Sequence, residues 1–152
     1  MLESIIALSF IINEKVGQLR DEQDKIINEI ETWLNKILNQ TESESKIKKE
    51  RCEICNSKES PSKLQLHHIA GRKHDFRMIT ACLKCHGELS IMQKLWDHRW
   101  LSCNVSDNLR QAFFLLGISD ILILKAKYAG NSGYEDLAIS YTEKISSLLR
   151  GE

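Results

Sequence analysis

The sequence has no hydrophobic run long enough to span a bilayer. Its apolar stretches, 2–12 and 112–124, are both too short, and the second contains Asp120. A secretory signal is also missing, because Glu3 stands where such a signal needs positive charge and no small-residue cleavage site follows. These absences predict a soluble, cytoplasmic protein that does not use a membrane as a partner.

The chain also lacks net charge, since 21 Lys and Arg residues balance 21 Asp and Glu residues. This balance argues against a uniformly basic nucleic-acid binder. The charges are unevenly placed, however: residues 46–99 hold twelve basic against six acidic side chains, whereas residues 1–45 hold four against nine. The positive segment also contains most cysteines and histidines, which favours a surface facing phosphate. An ordinary solvated basic surface is the other interpretation.

No internal repeat or low-complexity tract divides the chain, and an apolar fraction of 42% suits a folded core. We predict three regions: helical residues 1–45, a compact module at 46–101 and helical residues 102–152. Apolar residues at helical spacing predict a helix over 2–39, which Gly17 is able to divide. Residues 41–50 have one apolar side chain and are predicted as a linker or a solvated helix end.

Within the central module, alternating residues predict a strand over 63–69 and a partner strand over 77–81, joined by a loop containing Gly71. A helix is expected over 88–100, with an apolar side formed by Leu89, Met92, Leu95, Trp96 and Trp100. The predicted fold class is therefore α+β and mostly helical, with a strand, loop, strand, helix module between helical flanks.

In the C-terminal region, Ser106 or Asp107 is expected to cap one helix, and Ser119-Asp120 a second helix that runs through Tyr128. A last helix follows the Gly-rich loop at 130–133. The apolar stripes of the flanking helices indicate a core or a surface for a partner helix. A homo-oligomer formed through these helices is one expectation.

Four cysteines form two closely spaced pairs, Cys52-x2-Cys55 and Cys82-x2-Cys85, separated by 26 residues. Two residues between thiols let one tight turn aim both sulfurs at the same ion, so this pattern is typical of a structural zinc site. Disulfides are the competing interpretation, disfavoured in a chain without a secretory signal. Cys103 lies outside the pattern and is expected to be a small buried residue.

Three histidines lie close to these cysteines in the sequence. His67 and His68 are adjacent on the first predicted strand, and His86 directly follows Cys85. Because successive strand residues point to opposite faces, His67 and His68 cannot have the same role. One is able to bind a metal while the other polarises a water. Alternatively, one replaces a cysteine in the zinc shell or has only a structural role. His98 matches no motif and is expected at the surface.

Residues 50–99 resemble the HNH endonuclease family, whose fold is the ββα-metal module with accessory zinc knuckles. The resemblance rests on Cys-x2-Cys, then Leu-Gln-Leu-His-His-Ile-Ala-Gly-Arg, then Cys-x2-Cys-His-Gly-Glu-Leu-Ser. It implies metal-assisted hydrolysis of phosphodiester bonds in nucleic acid, with DNA as the expected partner. The implied cofactors are a structural Zn²⁺ and a catalytic Mg²⁺ or Mn²⁺, with Zn²⁺ as an alternative at the second site.

The resemblance also implies a role for each histidine. His67 and His86 are expected to bind the catalytic ion, and His68 to act as the general base. The family's middle Asn is missing between His68 and Cys82, and its position falls on His74 in one alignment and on Arg77 in another. We assign His74 the role of orienting the base.

Basic side chains around these motifs are placed to hold the DNA backbone, which favours affinity over sequence selection. They are Arg72, Lys73, Arg77 and Lys84. The missing Asn supports a second hypothesis, a catalytically impaired module that binds DNA or regulates without cutting it. A third hypothesis is that the zinc module only stabilises a helical protein that binds other proteins. The acidic, amphipathic first helix supports it, because such helices can pair between chains.

Overall fold

Seven helices and one antiparallel hairpin make up the part of the chain that the computed structural model describes, residues 2–19 and 24–151. The fold is α+β and mostly helical, as predicted. The helices are α1 (Leu2–Leu19), α2 (Asp24–Leu38), α3 (Glu42–Ser45), α4 (Leu83–Gln93), α5 (Asp107–Ala129), α6 (Ser132–Ser140) and α7 (Thr142–Arg150). The strands are β1 (Leu64–His68) and β2 (Met78–Cys82), and short 3-10 turns occupy Pro61–Lys63 and His98–Leu101.

Among the described residues, the helix predicted over 2–39 corresponds to α1 and α2. Helix α1 runs through Gly17 without a break, so the predicted division at this glycine is wrong. The segment 20–23, which the prediction placed in the same helix, lies outside the described residues. After α2, Thr41 begins the short helix α3 with a capping box, in which its side chain accepts from the Glu44 amide and Glu44 accepts from the Thr41 amide. Residues 41–50 therefore begin as a capped helical turn and not as a linker.

The hairpin lies within one residue of the predicted strand bounds. Leu64 pairs with Cys82 and His68 with Met78, so the cysteine pair and the histidine pair stand at opposite ends of the hairpin. Gly71 turns the connecting loop with φ +87, a left-handed conformation that favours glycine. Helix α4 follows β2 directly. The predicted order of strand, loop, strand and helix is therefore confirmed.

Helix α4 is displaced from the predicted bounds of 88–100. It begins immediately after Cys82 and ends at Gln93, and the 3-10 turn at His98–Leu101 carries Trp100. The Asp97 side chain accepts from the Arg99 amide and starts that turn, so the last part of the predicted helix is a separate 3-10 turn. Leu95 is 83% exposed, so its predicted place on the apolar side is wrong, whereas Trp96 is buried.

The C-terminal helices also differ from the prediction. Helix α5 is continuous over 23 residues, capped by Ser106 and ended by Gly130 with φ 65, so Ser119 and Asp120 do not cap a new helix. They lie inside α5 because tertiary burial outweighs their preference for helix ends. The predicted last helix is two helices, α6 and α7, which meet at the fully buried Tyr141.

Helix α5 is the centre of the hydrophobic core. Phe113, Leu115, Ile118, Ile121 and Leu122 are all fully buried, and the cluster they join contains buried residues from all three regions of the chain. Gly117 brings α5 against the end of β1: a Cβ atom built there would lie 2.0 Å from the Ile69 carbonyl oxygen. This close approach positions the segment that carries the paired histidines. None of the described helices is long and apolar enough to cross a membrane.

Candidate metal centre and active site

Four cysteine thiols come together between the hairpin and the start of α4. The Sγ atoms of Cys52, Cys55, Cys82 and Cys85 all lie within 4.8 Å of one another, and those of Cys55 and Cys82 are 3.8 Å apart. All four are free thiols and form no disulfide. Four sulfur donors around one point are the ligand set of tetrahedral structural sites. The cluster predicted from the spacing is confirmed, and it could hold a metal ion such as zinc.

Backbone hydrogen bonds shape the first cysteine pair into a tight knuckle. The Cys52 amide donates to the Ser57 carbonyl and the Asn56 amide donates to the Cys52 carbonyl, each at 3.0 Å. Asn56 adopts a positive φ of 58, a conformation that Asn tolerates better than most residues. Glu53 docks the knuckle on β2, because its amide donates to the Thr80 carbonyl at 2.8 Å and its carboxylate accepts from the Thr80 amide at 2.7 Å.

The second cysteine pair lies at the junction of β2 and α4. Cys82 is the residue before the helix, with extended backbone, and Cys85 lies in the first helical turn. The unpaired amides of a helix N-terminus favour negative charge, so this position stabilises thiolates. Cys103, in contrast, is exposed, and the prediction that it is buried is wrong.

Burial makes the thiolate form of this cluster costly for two of its members. It raises the pKa of Cys85 strongly and also raises that of Cys52. For Cys55 burial acts in the same direction, but hydrogen bonds with Ser57 outweigh it and lower the pKa to about 7. Lys125 of α5 also reaches the knuckle, where its Nζ donates to the Glu53 carbonyl at 2.6 Å.

His67 and His86 form a pair on one side of the hairpin. Their ring centroids are 5.1 Å apart in an edge-to-face arrangement, and His67 is buried. Burial, reinforced by the neighbouring His86 and His68, lowers the pKa of His67 to about 4, and burial lowers that of His86. Both rings are therefore neutral at pH 7 and available as metal ligands. Among the described residues, no third histidine, cysteine or carboxylate completes a three-ligand group with them.

His68 lies half-buried on the wall of a cavity at the other side of the strand. This matches the expectation that adjacent strand residues point to opposite faces. Its carbonyl accepts from Gln93 Nε2 of α4 at 3.2 Å, which fixes the backbone of the strand end. Burial and the positive charge of Arg72 lower the pKa of His68, and Asp75 acts against them. The imidazole is thus neutral and able to accept a proton near neutral pH.

His74 does not orient His68, so the predicted role of this residue is wrong. Its Nε2 donates to the Trp100 carbonyl at 2.5 Å, and its ring centroid lies 4.9 Å from that of Phe113. No hydrogen bond joins it to His68 in the described part of the chain. The ring is buried and holds the hairpin loop against the 3-10 turn and α5.

Arg77 is buried and cannot contact a phosphate, which corrects its predicted role in DNA binding. Its guanidinium donates from Nε and Nη2 to the two Asp75 carboxylate oxygens at 2.8 and 2.6 Å, and its Cζ lies 4.2 Å from the centre of the Phe114 ring. The side chain is only 2% exposed. It orders the hairpin loop from within.

The other three predicted DNA contacts lie at the surface. Arg72, Lys73 and Lys84 are exposed, and Lys73 donates from Nζ to the Leu101 carbonyl at 2.5 Å. Lys84 lies 5.0 Å above the Tyr128 ring. His98, with 91% of its side chain exposed, is a surface residue as expected.

Sequence reasoning missed several residues around His68. Asp75, Phe76 and Arg110 line the same cavity as His68. Asp75 and Arg77 have opposite charges and are two positions apart, so the sequence could have indicated an ion pair between them. No sequence feature indicated the position of Arg110, because this residue reaches the loop from the distant helix α5 and donates to the Lys73 carbonyl at 3.4 Å. Such contacts depend on how distant elements pack.

Comparisons with known proteins identified no relative of this chain. No family model matches the chain, and no match was found among curated proteins or among solved structures.

Proposed function

We propose that the protein is a metal-dependent endonuclease of the HNH type that hydrolyses phosphodiester bonds in DNA. The observation that carries the proposal is the arrangement of three histidines on one hairpin and the helix that follows it. His67 and His86 form a neutral pair with ring centroids 5.1 Å apart, and His68, the next residue along the strand, lies on an accessible cavity. Two ligands and an adjacent base are the parts that hydrolysis by a bound ion requires.

A structural zinc ion in the four-thiol cluster is the first part of this proposal. The donor set fits zinc, because four sulfur atoms within 4.8 Å of one another match tetrahedral thiolate coordination. The ion would join the knuckle before β1 to the junction between β2 and α4. The ion would then fix the Leu64–Cys82 end of the hairpin, opposite to the end that carries His67 and His68.

His67 and His86 would hold the second, catalytic ion. Bound there, a divalent cation supplies Lewis-acid stabilisation of the charge that develops on the phosphate oxygens. The resemblance implies Mg²⁺ or Mn²⁺, whereas two imidazole donors suit Zn²⁺ better than Mg²⁺. His68 would take the proton from the attacking water. The hydrogen bond from Gln93 to its carbonyl keeps the ring's backbone in place.

The exposed cations Arg72, Lys73 and Lys84 would hold the DNA backbone. They lie in the segment 46–99, where basic side chains outnumber acidic ones by twelve to six. Contacts of this kind position the phosphate without reading sequence. We therefore expect binding that weakens steeply as salt concentration rises.

Plasmid nicking by the purified, zinc-loaded protein tests the assignment of the base. Supercoiled plasmid is incubated with EDTA, Mg²⁺, Mn²⁺ or Zn²⁺, and the His68→Ala and His98→Ala variants are assayed in parallel. Nicking by the wild type should require a divalent ion and should fall by about a hundredfold or more in His68→Ala, because general-base catalysis contributes at least that factor. His98→Ala removes an exposed histidine outside the site and should leave the rate unchanged.

A catalytically impaired module that binds DNA without cutting it is the second candidate. Its supporting observation is that His74 bonds to Trp100 and leaves the family's Asn without a replacement beside His68. This candidate predicts salt-sensitive DNA binding by a folded, zinc-loaded protein that yields no product with any of the ions. Unchanged nicking by His68→Ala would instead show that the base has been assigned to the wrong residue.

A further inference from the structure

The cavity beside His68 has more basic than acidic side chains on its wall. It has a volume of about 580 Å³ and lies between the hairpin loop and helices α1, α3 and α5. Apart from two histidines, its charged or titratable side chains are four cations and three carboxylates: Lys46, Arg72, Arg77, Arg110, Glu42, Asp75 and Asp107. Two ion pairs, Arg77 with Asp75 and Lys46 with Glu42, neutralise four of these groups. Two arginines and one carboxylate are left over.

Arg110 of α5 reaches the hairpin loop without an ion pair to any described carboxylate. Its Nη1 donates to the Lys73 carbonyl at 3.4 Å and its Nη2 to the Cys103 carbonyl at 3.3 Å. Both acceptors are neutral backbone oxygens and both bonds are long, whereas a guanidinium has five N–H donors. These bonds therefore hold the half-buried side chain against the loop and leave donors for a ligand.

Arg72 lies beside His68 because the chain turns directly after β1. The Gly71 amide donates to the His68 carbonyl at 3.4 Å, and Arg72 follows this turn on the same cavity wall as His68. Its exposed guanidinium forms no hydrogen bond or ion pair with a described residue. Two cations from different regions of the chain thus adjoin the proposed base, and neither charge is neutralised within the described part of the protein.

We propose that Arg110 and Arg72 bind a phosphate of the DNA strand next to the phosphate that is cut at His68. The proposal rests on the nuclease function proposed for His68. A guanidinium binds phosphate oxygens through charge-assisted hydrogen bonds, often two at once. Consecutive phosphates of a strand lie close together, so a strand held at His68 presents a neighbouring phosphate to cations on the same wall. Since Arg110 lies outside residues 46–101, the C-terminal helix α5 becomes part of the DNA-binding surface.

Asp107 acts against this contact and tests its sign. It is the first residue of α5, where the unpaired helix amides stabilise a carboxylate, and it lines the same cavity three residues before Arg110. It is exposed and forms no ion pair with a described residue. Its charge repels a phosphate, so Asp107→Asn should bind DNA more tightly than the wild type.

Equilibrium binding without added Mg²⁺ or Mn²⁺ tests the contact independently of cleavage. Fluorescence anisotropy measures the affinity of the full, zinc-loaded chain for a labelled DNA duplex over a series of salt concentrations. Arg110→Gln should weaken binding by about tenfold, the contribution of a hydrogen bond to a charged group. It should also reduce the slope of log affinity against log salt by about one, which corresponds to one phosphate contact. Arg110→Lys keeps the charge and should keep the slope.

Lys25→Gln is the matched control, because Lys25 is exposed on α2 and no residue of α2 lines the cavity. It removes one positive charge and should leave affinity and slope unchanged. Nicking in the presence of the catalytic ion gives a second readout. Arg110→Gln should raise KM and leave kcat nearly unchanged, because the contact is made equally before and during the reaction. Zinc content and circular dichroism establish that each variant is folded.

An unchanged salt slope in Arg110→Gln, or weaker DNA binding by Asp107→Asn, would overturn the phosphate contact. The first result would leave Arg110 with a structural role through its bonds to the loop carbonyls. Either result combined with metal-dependent nicking by the wild type would remove the contact and keep the nuclease. A reduced slope in Arg110→Gln, together with no nicking by the wild type, would keep the contact and remove the nuclease.

Discussion

Burial of the Asp120 side chain disfavours its charged carboxylate form. It lies half-buried in α5 and accepts from Trp96 Nε1 at 2.9 Å. Burial raises its pKa from 3.8 to about 6, although the Trp96 hydrogen bond acts in the opposite direction. The folded protein therefore holds this proton to higher pH than the unfolded chain does. The associated stability is complete below about pH 4 and is lost as pH rises through 6.

Asp120→Asn should increase the free energy of unfolding at pH 7, by on the order of 2 kcal/mol, because the neutral amide keeps an acceptor for Trp96 and carries no charge to bury. Urea unfolding at pH 4, 5, 6 and 7 measures the effect, which should be small at pH 4. Asp136→Asn, on the exposed side of α6, is the control and should change stability little at any of these values. A lower stability of Asp120→Asn at pH 7 would show that the carboxylate has a stabilising partner.

Helix α5 and the end of β1 depend on each other at Gly117. A Cβ atom at this position would lie 2.0 Å from the Ile69 carbonyl oxygen and 2.7 Å from its carbonyl carbon, and backbone atoms cannot give way as a side chain end can. Gly117→Ala should therefore reduce the free energy of unfolding by about 3 kcal/mol, the upper part of the range for overpacking. Chemical denaturation measures the loss. Because Ile69 follows His68, nicking should fall as well.

Gly17→Ala is the matched control for that substitution. Gly17 is exposed inside α1 and has nothing within 4 Å of an added Cβ. Alanine is the better helix former, so this variant should be more stable than the wild type by up to about 1 kcal/mol. Similar effects of the two substitutions would argue that α5 does not press against β1 as described.

The elements that the sequence predicted well are those with a local cause. The hairpin bounds follow from alternation, and the cysteine cluster follows from two short spacings that a turn can close. The bounds of α4 and the continuity of α5 could not be predicted in the same way. Ser119 and Asp120 have the residue types of a helix cap, and only their packing inside the core shows that the helix continues.

Tertiary packing also determines which individual site residues could be predicted from the sequence. The roles proposed for His67 and His86 come from the resemblance to the HNH family, and the structure places their ring centroids 5.1 Å apart. His74 and Arg77 also stood at family positions, yet both are buried and bonded to Trp100 and Asp75. Sequence alone does not state which way a loop side chain faces. That depends on α5, whose Phe113 and Phe114 contact these two residues.

At the scale of the whole molecule, the four-thiol cluster and the flanking helices share one hydrophobic core. Cys52, Cys82 and Cys85 belong to the same buried cluster as Leu34 of α2 and Leu148 of α7. Loss of the knuckle would therefore expose apolar surface that α5 and both flanks bury. The bond between Lys125 and the knuckle carbonyl of Glu53 adds a polar link between the two parts.

Removal of the proposed zinc ion should consequently unfold far more than the hairpin. Structural zinc contributes on the order of 10 kcal/mol of binding free energy, comparable with the total stability of about 5–15 kcal/mol of a domain. Treatment with a strong chelator, or the Cys85→Ser substitution, should thus abolish a large part of the helical circular dichroism at 222 nm in one cooperative transition. Cys103→Ser removes the exposed thiol and should leave zinc content and helicity unchanged. A zinc-free sample that keeps its full helical signal and thermal midpoint would show that the flanking helices fold without the metal centre. It would also show that the apolar surface shared by the helices and the metal centre contributes little to the stability of the helices.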